Sequence, residues 1–193
     1  MKLSLLFAAA AMVFISSCNN PPKILSGVFA SDKPNEGPCP QALVLWDVSR
    51  KVQISKPETF SNVGFTGEIL NVSSFCTYVD EDPIVANLEI QFAFGRGPAA
   101  TGMEMDYPYF IAVTRKDKAV ISKETFPLRV KFRSEDEIVY VTEKFKSITI
   151  PRKQQNTSGI NFEILVGFEL TEAELEFARS GKRFRVPAGS HQQ

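Results

Sequence analysis

Along most of this chain apolar and polar residues alternate with a period of two. Ile84, Ala86, Leu88, Ile90, Phe92 and Phe94 interleave with Val85, Asn87, Glu89, Gln91 and Ala93. Ile160, Phe162, Ile164, Val166, Phe168 and Leu170 interleave with Asn161, Glu163, Leu165, Gly167 and Glu169. A third run, Phe126, Leu128, Val130 and Phe132, sets Arg129 and Lys131 on its other face. Successive side chains of a strand point to opposite faces, so this pattern predicts strands with one face packed and one wet, as in antiparallel sheets. Less regular strands are expected over 42–54, 65–79, 108–114, 119–123 and 138–150. Turn chemistry separates them at Asp80-Glu81-Asp82-Pro83, Gly95-Arg96-Gly97-Pro98, Lys116-Asp117-Lys118 and Asn156-Thr157-Ser158-Gly159. About seven or eight short strands at this spacing predict an all-β fold, a two-layer antiparallel sandwich, immunoglobulin- or fibronectin-like in outline. A closed barrel is the alternative.

The period changes once. Thr171-Glu172-Ala173-Glu174 is a capping box, in which the Thr hydroxyl and the Glu carboxylate each satisfy an orphan amide of the first turn. Leu175, Phe177 and Ala178 follow, and Gly181 suits a left-handed stop, so one short C-terminal helix is expected. The basic run Lys182-Arg183-Phe184-Arg185 opens a tail expected to be frayed over 182–193.

The amino terminus has a different pattern. After Lys2, residues Leu3 to Ile15 read LSLLFAAAAMVFI, with Ser4 the one polar member. Such a run makes about 20 Å of helix, short of the roughly 30 Å hydrocarbon core, and has the size of a signal-peptide hydrophobic region. Ile15, Ser16 and Ser17 then precede Cys18. This stretch resembles the lipobox of bacterial lipoproteins, with Ile15 where the pattern has Leu and Ser17 where it has Gly or Ala. The resemblance implies cleavage before Cys18, diacylglycerol on its sulfur and acylation of the new amino terminus. An ordinary secretory peptide cut nearby is the alternative. In that family the residue after the cysteine influences sorting. Asn19 favours the inner leaflet of the outer membrane, facing the periplasm, with retention at the inner membrane left open.

The chain holds three cysteines, an awkward number for an exported protein. With Cys18 carrying lipid, Cys39 and Cys76 remain as a pair in an oxidising compartment and are expected to be bridged. Prolines at 21, 22, 34, 38 and 40 deny backbone donors and favour extended chain. The expected organisation is therefore a signal peptide over 1–17, a lipidated cysteine and proline-rich tether over 18–40, a sandwich domain over 41–181, and the tail.

Composition then removes functions. Of 193 residues 44% are hydrophobic, including 16 Phe against the single Trp46, which describes a globular chain. Lys+Arg and Asp+Glu number 22 each, so no net field points at nucleic acid. The one histidine, His191, lies in the tail, which removes His-based triads and His-rich transition-metal sites. Asp80-Glu81-Asp82 and Glu135-Asp136-Glu137 lack the alternating spacing of a calcium loop and read as solvated turns. The glycine-rich Gly95–Gly102 stretch has no Lys or following helix and is no phosphate cradle. No cofactor or metal is expected. Two places remain as candidate partner-binding features: Arg96 between two glycines, and the aromatics Tyr107 and Tyr109 around Pro108.

Cys39-Pro40, Phe94 with Arg96-Gly97-Pro98-Ala99, Tyr109-Phe110 with Ala112-Val113, and Phe162-Glu163-Ile164 followed by Val166-Gly167-Phe168-Glu169-Leu170-Thr171 and Glu174-Leu175 resemble a family of small lipoproteins of alphaproteobacteria. The similarity spans roughly residues 39–178. It implies export, lipidation and a cysteine pair, and carries no catalytic residue with it. The function expected is that of a non-enzymatic envelope lipoprotein, held to the membrane through Cys18 and binding an envelope protein or glycan through its loops or strand edges. The alternatives are a small hydrolase or transferase using carboxylates alone, and a lipocalin-like carrier holding a small ligand inside a barrel.

Overall fold

The structure, a computed structural model, describes residues 37–116, 119–135, 137–154, 156–182 and 184. The signal peptide, Cys18, most of the tether, His191 and most of the tail lie outside the described residues. Among the described residues ten strands and one α-helix follow one another: β1 (Gln41–Val44), β2 (Arg50–Ile54), β3 (Val63–Thr77), β4 (Ile84–Arg96), β5 (Glu104–Asp106), β6 (Tyr109–Arg115), β7 (Ala119–Phe126), β8 (Arg129–Lys131), β9 (Val139–Ile150), β10 (Phe162–Phe168) and α1 (Glu172–Arg179). One four-stranded sheet has the order β1-β10-β6-β7, the other β2-β3-β4-β9, and β5 pairs with β8 in a separate ribbon. The all-β sandwich with one short helix is thus the observed architecture.

Two features depart from the expectation of seven or eight antiparallel strands. The apolar stretch over 42–54 is two strands, because a 3-10 turn at Trp46–Val48 carries the chain from one sheet to the other. The edge strand β1 consequently runs parallel to β10, with Gln41 opposite Glu163 and Val44 opposite Val166. The Phe126–Phe132 run is also divided. Pro127 cannot donate to a ladder, so β7 ends at Phe126 and β8 leaves to pair with β5.

Rings from both sheets form the core. Ile84, Ala86, Leu88, Ile90, Phe92 and Phe94 of β4 are at most 2% exposed, as the alternation requires. Phe92 lies 5.0 Å from Tyr109 and 5.9 Å from Phe168, which joins the two layers through tilted aromatic contacts. With Phe92, Phe94, Phe168, Tyr107 and Tyr109 interleaved between open sheets, the arrangement is no barrel around a central ligand.

The helix forms as the capping box predicts. The Thr171 hydroxyl accepts from the Glu174 amide at 3.3 Å and the Glu174 carboxylate accepts from the Thr171 amide at 2.8 Å. Gly181 supplies the left-handed residue after the helix, at φ 78°. Glu174 also receives the ammonium of Lys51, which is only 7% exposed, at 2.6 Å. This pair fixes α1 to β2, and Phe177 seals the contact against Val52 and Val63. The expected tail begins later than 182: Phe184 stacks on Phe177 at 6.1 Å, and Lys182 pairs with Glu58.

Candidate functional site

The amino-terminal side of the body is clasped. Cys39 and Cys76 are bridged, with Cα atoms 5.6 Å apart. The Tyr78 hydroxyl donates to the Pro38 carbonyl at 2.9 Å and accepts from the Gly159 amide at 3.2 Å. The Ser74 hydroxyl donates to the Pro40 carbonyl at 2.9 Å. A Cβ on Gly159 would collide with the Pro38 carbonyl oxygen, so this close passage demands glycine. Residues 37–40, expected to belong to the tether, are therefore part of the body, because polar partners and the bridge hold their proline-restricted backbone in place.

The aromatic recognition feature expected at Tyr107 and Tyr109 is corrected by the structure: they are 0% and 1% exposed. Residues two apart in extended chain share a face, and here that face is the core. The Tyr107 hydroxyl donates to the Thr66 carbonyl at 3.1 Å, and its ring lies 4.4 Å from Phe94. Burial pushes both phenols far above their ordinary range, with Glu143 adding to the effect at Tyr109. Arg96 is half-buried and turned onto its own loop. Its guanidinium donates to the Gly102 carbonyl at 2.9 Å and lies 5.9 Å from the centre of the Phe65 ring. That geometry organises the glycine-rich stretch.

The described carboxylates with resolved shifts are held by cations or amides. Every carboxyl shift resolved among the described residues is downward. Hydrogen bonding from Lys144 lowers Glu89, that from Arg129 lowers Asp106, and that from Lys123 lowers Glu169. The Arg133 backbone amide does the same for Glu137. A general acid working near neutrality needs the opposite shift. Among the described residues no cluster of three His, Cys, Asp or Glu is placed to hold a metal, and Arg152 binds the carbonyls of Asp80 and Asp82 in the first acidic turn.

What the strand pattern did not foretell is a cleft of about 420 Å³ between the free edges of the two sheets, β7 and β9. Phe126 of β7 and Phe145 of β9 meet at 4.7 Å and close one end. Beyond them each edge strand bulges. The register of β7 slips by one residue between Ser122 and Val120, and that of β9 slips between Phe145 and Ile148. In β9 the extra residue, Ser147, adopts φ 63° and donates its amide to the Asn87 side chain at 3.2 Å. Bulges bend edge strands and re-aim side chains, and here both lie beside the cleft. Ile111, Val113, Phe145 and Ile148 form the inner wall, while exposed Glu124 and Lys146 stand at the mouth. The spacing of three between Phe145 and Ile148, where a regular strand would have two, is the one trace of this feature in the sequence.

Comparison with family models, curated proteins and solved structures finds no match for the chain.

Proposed function

We propose that the chain is a lipid-anchored protein of the bacterial cell envelope, acylated on Cys18, whose sandwich is a non-enzymatic binding module. The observation that carries this reading is the Cys39–Cys76 bridge. Stable structural disulfides belong to oxidising compartments, and this one uses two of the three cysteines, leaving Cys18 two serines after an apolar run of signal-peptide size. Two or more acyl chains anchor a domain firmly where one does not. The favoured address is the periplasmic face of the outer membrane, with the inner membrane as the second possibility. A partner from the envelope, protein or glycan, would meet the module at its loops or strand edges, and the filled core and ion-paired carboxylates speak against the barrel carrier and the carboxylate hydrolase.

The test is intact-mass analysis of the native product with and without Cys18→Ala. The expected product lacks residues 1–17, carries fatty acids on Cys18 and partitions with the membrane. The variant is released from the membrane or left uncleaved. A native product without fatty acid, or a Cys18→Ala protein that still needs detergent for extraction, overturns the anchor.

A further inference from the structure

We infer that the cleft between β7 and β9 is a binding site for a single-chain amphiphile with a zwitterionic head. Its volume of about 420 Å³ falls within the range of small-molecule sites, roughly 300–1,000 Å³. Its lining is graded. Ile111 and Val113 are 7% and 5% exposed at the bottom, Phe145 and Ile148 are half-buried along the side, and the residues at the mouth are exposed. An apolar chain can therefore enter between the layers while a polar head stays wet.

The mouth selects the head by charge. It offers one anion, Glu124, and one cation, Lys146, from opposite edge strands. Neither is ion-paired among the described residues, whereas their neighbours are: Lys123 with Glu169 at 2.8 Å and Lys144 with Glu89 at 3.0 Å. A head carrying both an anionic and a cationic group complements the pair. A purely anionic head gains Lys146 but faces Glu124, and a purely cationic head has the reverse difficulty. The two bulges beside the cleft disrupt the regular ladder edges at this point, which makes simple strand addition a poorer occupant than a chain without backbone donors.

The inference concerns the body and stands whether or not Cys18 is acylated. It is tested by calorimetric titration of the full chain, carrying Cys18→Ala so that its own acyl groups cannot compete, with lysophosphatidylethanolamines of increasing chain length below their micellar concentrations. Saturable 1:1 binding is expected, strengthening about fourfold per added methylene until the cleft is full. Fatty acids and alkylammonium ions of equal length are expected to bind more weakly. Glu124→Lys and Lys146→Glu should each weaken the zwitterion by about two- to fivefold, and the double reversal should recover affinity because the head can turn round. Ser122→Trp, placed at the exposed mouth opposite Val113, should block binding with thermal unfolding unchanged, and Ser122→Phe serves the same purpose with a smaller ring. No saturable binding, equal affinity for anionic and zwitterionic heads, or full affinity in both folded Ser122 variants overturns the inference.

Discussion

Replacing Cys39 and Cys76 together by Ala removes the staple that joins the start of the body to β3. The bridged residues are 37 apart in sequence. The loop-entropy relation for closing a loop of that size gives about 3.8 kcal/mol of stabilisation at 25 °C, acting through the unfolded chain. Loss of native packing adds little. Cys76 is 8% exposed within the core, but Ala retains the Cβ, and the hydrogen bonds from Tyr78 to Pro38 and from Ser74 to Pro40 keep the clasp in place without the sulfurs. About 4 kcal/mol is a large part of the 5–15 kcal/mol that holds a domain folded. In a body of this size it corresponds to a fall in melting temperature of about 8–16 °C. Urea unfolding followed by circular dichroism should give this difference two ways: oxidised against reduced wild type, and oxidised wild type against the double variant. Reductant should leave the variant unchanged. A difference below about 1 kcal/mol, or equal sensitivity of the variant to reductant, would refute the assignment of this stability to the bridge.

Other substitutions separate packing from surface roles. Tyr107→Phe deletes only the donor to Thr66 and should cost about 1 kcal/mol. Tyr107→Ala empties a fully buried ring site and should cost about 3–5 kcal/mol in thermal unfolding; a stable Tyr107→Ala protein would contradict the core placement. Glu174→Ala leaves the buried Lys51 ammonium without its carboxylate and removes the reciprocal half of the capping box, so a loss of about 3–5 kcal/mol is expected by urea denaturation, and a loss under 1 kcal/mol would deny the anchoring role. Acid should also lower the stability of the protein. Glu89, Asp106, Glu137 and Glu169 bind protons less readily folded than unfolded, so their stabilisation is present above the unfolded carboxyl range near 4 and is lost as pH falls below it. Tyr107 and Tyr109 have the opposite sense: the unfolded phenols ionise above about pH 10 while the folded ones stay neutral, so stability falls as pH rises beyond that point. A melting temperature that holds to pH 3 or to pH 11 would refute the corresponding half.

Alternation by itself determined which side chains of β4 and β10 enter the core, because period two leaves no choice of face once one side is buried. Local chemistry determined the helix too: the Thr171–Glu174 box and Gly181 act within a few residues of one another, so their geometry is independent of the remainder of the fold. Cysteine count was enough to pair Cys39 with Cys76 once Cys18 was set aside. Tertiary structure decided the rest. Tyr107 and Tyr109 have the same local sequence whether they face solvent or core, and only the packing of Phe94 and Phe168 against Tyr107, and of Phe92 and Phe126 against Tyr109, settles the matter. Lys51 has no sequence partner, since Glu174 reaches it across 123 positions. The cleft belongs to neither edge strand alone. It exists because β7 and β9, distant in sequence and unpaired with each other, end their sheets on the same side, a juxtaposition that long-range topology sets and local pattern does not record.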